Sequence, residues 1–197
     1  MNGAESLLET LINNGVEVCF SNPGTSEMHM VAAIGKTEGM RSILSLFEGV
    51  CSGAADGYGR MAGKPACTLL HLGPGLSNAS ANLHNAKKAN SPVLNLIGDH
   101  AVYHKKYDAP LTSDIITLAQ SVSDWVHTTE TAEKLPSDAA EAIAIANHGA
   151  GNIATLIVPA DCAWNESVEP VQFKQAPPVS LVEDAAVSRA AELLQNG

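Results

Sequence analysis

The chain has 197 residues, 45% hydrophobic and 16% charged, with a formal net charge of −10. That length allows one large domain or one domain with an appendage, and the composition excludes an intrinsically disordered chain. The excess of 21 acidic over 11 basic side chains excludes a basic nucleic-acid-binding face and electrostatic docking on anionic membranes.

The first helical pattern covers residues 4–14, with Leu7, Leu8, Leu11 and Ile12 on one face and Gly15 as the stop. An apolar run at 16–20 reads as the first strand, closed by the turn Asn22-Pro23-Gly24. In that turn proline fixes φ and glycine permits φ > 0. A helix at 26–35 opens with Ser26 and Glu27 and is stopped by Gly35. Then follow a strand at 42–47, an Ala/Gly-rich helix at 49–62 ending at Gly63, a strand at 67–72 and a helix at 75–88. The strand at 93–97 precedes a helix at 112–120, for which Thr112 or Ser113 is the cap. A weaker strand lies near 122–128, a helix at 137–148 starts behind Pro136 with Ser137 as N-cap and Gly149 as stop, and a last strand covers 153–158.

Strand–helix alternation with near-continuous apolar strands predicts an α/β fold: three αβα layers around a six-stranded, mainly parallel sheet covered on both faces. With aromatics at 4%, its core is aliphatic and alanine-rich. This domain is expected at 1–163. Residues 164–180 carry Pro170, Pro177 and Pro178 and read as an extended linker. Residues 181–197 place Val182, Ala186, Ala190, Leu193 and Leu194 at helical spacing. They read as the first helix of a truncated second domain; a helix folding back on the first domain is the alternative. The four cysteines show no C-x-x-C or zinc spacing and read as buried small hydrophobes in a reducing compartment. With neither a signal-peptide pattern nor an apolar run of about 18 residues, a cytoplasmic protein is expected.

Ligands in such sheets sit outside the carboxyl ends of the strands. Three of those ends stand out: Asn22 to Glu27, Phe47-Glu48-Gly49, and His71 to Asn78. Glu48 follows an apolar run and precedes a helix of tiny residues. Burial there raises a carboxyl pKa and a helix N-terminus lowers it, so Glu48 is either functional or a first-turn acid satisfied by the dipole. His71 shares that edge, as a proton-handling group or as a histidine bonded into a turn. His100 and His104 are spaced i, i+4 in a polar loop without a third ligand, so no metal site is expected in this chain, and an active-site loop is the reading. Gly73-Pro74-Gly75 is not the dinucleotide fingerprint and follows the third strand. P-loop, zincin and α/β-hydrolase motifs are absent.

Taken together, Asn22-Pro23-Gly24, Glu48 within the stretch 47–65, Gly73-Pro74-Gly75-Leu76-Ser77-Asn78 and Ser91-Pro92-Val93-Leu94 resemble a known family. The order and spacing of residues 1 to about 165 are similar to the N-terminal, pyrimidine-binding domain of thiamine-diphosphate-dependent enzymes, in the group of acetolactate synthase large subunits and benzoylformate decarboxylases. The resemblance implies thiamine diphosphate as cofactor, with Glu48 bonded to N1′ of the aminopyrimidine, promoting the imino tautomer that activates the thiazolium. It implies that Asn22, Pro23, Gly24, Pro74 and Asn78 line the pyrimidine pocket and that Thr25 and His71 face the substrate. It also implies a 2-oxo acid substrate, C–C cleavage or carboligation, and a homodimer or homotetramer. Mg²⁺ and the diphosphate would be held by a Gly-Asp-Gly…Asn domain that these 197 residues do not contain. On this reading the chain alone is inactive, and FAD is undetermined. Phe47 and His71-Leu72 stand where acetolactate synthases carry His and Thr-Ser, and Thr25, Glu48 and His71 follow the decarboxylase pattern. The alternatives are a non-catalytic binding or assembly module of the same fold, and a dinucleotide-binding Rossmann enzyme.

Overall fold

A computed structural model describes residues 1–172 and 181–195. Its elements in chain order are α1 (Gly3–Asn13), β1 (Val18–Asn22), α2 (Met28–Lys36), β2 (Arg41–Leu44), α3 (Glu48–Ala62), β3 (Ala66–Leu70), α4 (Leu72–Lys88), β4 (Val93–Asp99), α5 (Ile115–Gln120), β5 (Trp125–Thr128), α6 (Leu135–Ala146), β6 (Ile153–Pro159), α7 (Ala160–Trp164) and α8 (Asp184–Gln195). The six strands form one sheet in the order β2-β1-β3-β4-β6-β5, with every pairing parallel. The expected αβα architecture is therefore the observed one.

Alternation along the central strands builds two cores. Cys67 and Leu69 of β3 and Leu94 and Leu96 of β4 face α1, α2 and α6, meeting Leu7, Leu11, Met30 and Ile143. Ala66, Leu70, Val93 and Ile97 point the other way, into Cys51, Ala55, Leu76, Leu83 and Ala119 of α3, α4 and α5. Thr68, Asn95 and Thr155 are also fully buried. Asn95 accepts from Thr68 Oγ1 at 2.8 Å and donates to Thr155 Oγ1 at 3.0 Å, and Thr155 meets Ser123 Oγ at 2.7 Å. This chain of bonds locks the register of three strands and meets the cost of burying their polar groups.

Several boundaries differ from the sequence reading. β1 begins two residues later, at Val18. The apolar run to Phe47 outlasts β2, which stops at Leu44, its last partner on β1 being Ser21. β2 is the sheet's edge and is mostly exposed, so it is not the doubly covered strand expected; Leu46 beyond it is 94% exposed. α2 runs through Gly35 and ends at Lys36. α5 is capped by Asp114, which accepts from the Thr117 amide at 3.1 Å, rather than by Thr112 or Ser113. Ser137 lies inside α6 and bonds back to the Lys134 carbonyl at 2.7 Å. Gly15, Gly63 and Gly149 do adopt positive φ behind their helices. Residues 165–171 run beside α1: Val168 and Val171 accept from Ser6 Oγ and Asn14 Nδ2, and the Val171 amide donates to Thr10 Oγ1. Pro177 and Pro178 of the expected linker lie outside the described residues. α8 has no buried residue. Among the described residues no helix is long and apolar enough to cross a membrane.

Candidate active site at the carboxyl edge of the sheet

The parallel order brings the ends of β2, β1, β3, β4 and β6 to one edge. Glu48 is the first residue of α3, immediately beyond β2, and is half-buried. Asn78, one and a half turns into α4, donates Nδ2 to Glu48 Oε2 at 2.9 Å. Glu48 Oε1 has no hydrogen-bond partner among the described residues. The two helices lie close because their facing residues are small. Ser52 of α3 donates to the Ala79 carbonyl at 2.9 Å, and Asn82 of α4 donates to the Gly49 carbonyl at 2.6 Å. A Cβ on Gly75 would sit 3.6 Å from Glu48 Cγ, an ordinary contact, and 3.3 Å from the Leu70 carbonyl carbon, so glycine here lets the first turn of α4 lie close to the end of β3. The helix N-terminus adds a favourable field for an acid at this position.

His71 occupies the turn between β3 and α4, and its carbonyl accepts from the Gly75 amide at 2.8 Å. The next residue, Leu72, is fully buried with φ +45°, an uncommon conformation for a bulky side chain. The buried leucine and this backbone kink fix where His71 emerges. Its Nδ1 lies 2.8 Å from Oε2 of Glu27, which the sequence places at a helix start and at the close of the Asn22 to Glu27 strand end but does not single out as a site residue. Glu27 ends the 3-10 turn Thr25–Glu27 and its side chain is 0% exposed. Its Oε2 also accepts the Gly24 amide at 2.7 Å, whereas its Oε1 is sealed and unpartnered. Burial pushes the Glu27 carboxyl above its ordinary range, against the lowering pull of the Gly24 amide and the imidazole. A glutamate three residues after the turn glycine is the sequence signal for this contact, since that spacing lets a carboxylate reach back to the glycine amide.

Two glycines make room for the pair. A Cβ on Gly24 would fall 2.3 Å from His71 Nδ1, and one on Gly98 would fall 1.7 Å from Glu27 Oε1. Gly24, two residues beyond the end of β1, thus abuts the imidazole. Pro74 is exposed in the first turn of α4. Thr25 faces elsewhere: with Ser26, His29, His100, Tyr103, His104 and Trp164 it lines an open cleft of about 250 Å³. The structure therefore pairs Glu48 with Asn78 and His71 with Gly24, and it puts Thr25 on a cleft whose lining includes none of these four residues. The His100 and His104 rings are 5.7 Å apart between centroids, and no group of three or more metal-capable side chains occurs among the described residues.

Residues 1–124 match the family described as thiamine pyrophosphate enzyme, N-terminal TPP binding domain. A provisionally named acetolactate synthase large subunit of Mycobacterium tuberculosis, IlvX, is 54% identical over 197 residues, covering 98% of this chain and 38% of its own length. The benzoylformate decarboxylase of Pseudomonas aeruginosa is 31% identical over 140 residues, covering 71% of this chain and 26% of its own. Among solved structures, a thiamine diphosphate-dependent 4-hydroxybenzoylformate decarboxylase from Rhodococcus jostii superposes with a TM-score of 0.88 at 24% identity, covering all of this chain and 38% of that one. The chain thus spans well under half the length of these relatives.

Proposed function

The chain belongs to the thiamine pyrophosphate enzyme family through that family's N-terminal TPP binding domain, and on this premise we propose that it forms the pyrimidine-binding half of an active site that cleaves or joins C–C bonds of 2-oxo acids. The observation that carries the reading is the half-buried Glu48 carboxylate at the head of α3. One of its oxygens is held by Asn78 and the other is unpartnered among the described residues. That donor set fits an aminopyrimidine edge: one carboxyl oxygen is free to exchange a proton with a ring nitrogen, and small residues admit a flat ring.

Bound thiamine diphosphate would supply the carbon nucleophile that adds to the 2-oxo group and takes up the electrons released on cleavage. Glu48 holds and returns the proton at the pyrimidine N1′. Asn78 orients that carboxylate, while Asn22, Pro23, Gly24 and Pro74 complete the wall. His71 moves a proton near the reacting carbon, and Thr25, on the wall of its cleft, hydrogen-bonds a substrate carboxylate or hydroxyl. The diphosphate and Mg²⁺ belong to a part of the site outside this chain, contributed within a homodimer or homotetramer. The exposed Val187, Leu193 and Leu194 of α8 suit the first helix of a following domain. In the protein carrying this domain, Glu48→Gln is expected to lower thiamine-diphosphate-dependent CO₂ release from a 2-oxo acid by roughly 100-fold or more, with an unchanged circular-dichroism spectrum. Undiminished turnover by that variant would refute the assignment, and turnover by the 197 residues alone would refute the division of the site.

A further inference from the structure

The geometry points to Glu27 as a positioning residue: its buried carboxylate holds His71 in the Nδ1–H tautomer and turns Nε2 outward as a proton acceptor. This rests on the proposed role of His71 and adds to it the device that sets the ring's state. Three observations converge. Glu27 Oε2 is 2.8 Å from His71 Nδ1. The same oxygen is 2.7 Å from the Gly24 amide, which can only donate. An oxygen that already accepts one backbone N–H is set up to accept a second, so the imidazole presents its own N–H to it. Nε2, on the far side of the ring, has no partner among the described residues, and unlike Glu27 Oε1 it is not sealed from solvent.

The surroundings are shaped around this contact. Gly24 leaves room for the imidazole and Gly98 for the other carboxylate oxygen, each at a distance no Cβ would tolerate. Glu27 is fully buried, so its carboxylate cannot swing to water, and the kink at Leu72 fixes the base of the His71 side chain. Among the described residues the carboxylate's partners from other residues are one ring nitrogen and one turn amide, and it occupies space cleared by two glycines, so it acts on that ring. In a neutral imidazole the nitrogen opposite the bonded N–H keeps its lone pair, so fixing one side decides what the other can do.

The test is long-range ¹H–¹⁵N correlation spectroscopy on this chain with ¹⁵N-labelled histidine at pH 7.5, with His71 identified by the signals lost in His71→Gln. The expected result is a protonated Nδ1 and a lone-pair Nε2 at His71, in at least ~10-fold excess over the other tautomer. Glu27→Leu, which keeps bulk and removes the acceptor, should reverse that preference. Glu27→Gln, whose carbonyl can take over from Oε2, should retain it. A lone-pair Nδ1 in the unaltered protein would overturn the inference, as would a folded Glu27→Leu variant with unchanged His71 signals. If Glu27→Leu does not fold, the signals of the unaltered protein and of Glu27→Gln still decide. The readout needs neither cofactor nor turnover, so it can fail while Glu48-dependent turnover stands, and the reverse.

Discussion

Gly98→Ala gives the sharpest test of how tightly the Glu27–His71 contact is built. The added methyl would lie 1.7 Å from Glu27 Oε1, where ordinary contact begins at about 3.4 Å. Glu27 must then retreat by most of that deficit. It has no free direction, being fully buried, and its other oxygen is tied at 2.7 Å to the Gly24 amide and at 2.8 Å to His71. Overpacking a tight site costs about 1–3 kcal/mol. Pulling a buried carboxylate off its hydrogen bonds adds roughly 1.5–3 kcal/mol. Together these predict a loss of about 3–5 kcal/mol, a large share of the ~5–15 kcal/mol typical of a domain. Urea unfolding followed by circular dichroism measures it, and a double-mutant cycle assigns it. With Glu27→Ala in the background the methyl finds vacated space, so the cost of Gly98→Ala should fall below about 1 kcal/mol. A Gly98→Ala cost under about 1 kcal/mol in the original chain, or an equal cost in both backgrounds, would refute the packing argument.

Two further predictions follow from burial. Because the native Glu27 carboxyl binds its proton more tightly than its ordinary value of 4.5, its stabilising contribution is full below about pH 4.5 and is lost as pH rises through the higher native value. The stability of the unaltered protein relative to Glu27→Gln should therefore decline as pH rises above about 4.5 in urea titrations at fixed salt, and a rising difference would contradict the shift. All four cysteines are free and buried, and burial pushes the Cys162 thiol up to about 12. In the folded protein none should react with a disulfide reagent at pH 8, whereas denaturant should release all four thiols; rapid labelling of the native chain would show an opening the structure does not contain.

How far the sequence reached varies with the kind of signal. Six strand positions and the αβα layering were legible because apolar runs and helical periodicity are local properties. The helix stops at Gly15, Gly63 and Gly149 were legible because positive φ is a backbone property of the residue itself. Boundaries that depend on pairing were not. Leu46 and Phe47 look like core strand residues, but β2 is an edge strand whose last partner on β1 is Ser21, so the apolar run ends in solvent. Capping at Asp114 and the continuation of α2 through Gly35 turned on competition between neighbouring residues that composition does not rank.

At the site, Glu48 and His71 were visible as single residues because each stands at a strand's carboxyl end, and the resemblance to thiamine-diphosphate enzymes named them. The contact between Asn78 and Glu48 spans 30 positions, and that between His71 and Glu27 spans 44. Both exist only because parallel β2, β1 and β3 lie side by side and return their loops to the same edge. By itself, the sequence determined the family, the fold class and the glutamate at the head of α3. Tertiary structure alone decided that a glutamate read as an ordinary helix start is buried against the imidazole, in space that Gly24 and Gly98 leave open. Local patterns record what each segment prefers, whereas the partner of a buried charge is chosen by which strand ends the sheet order makes neighbours.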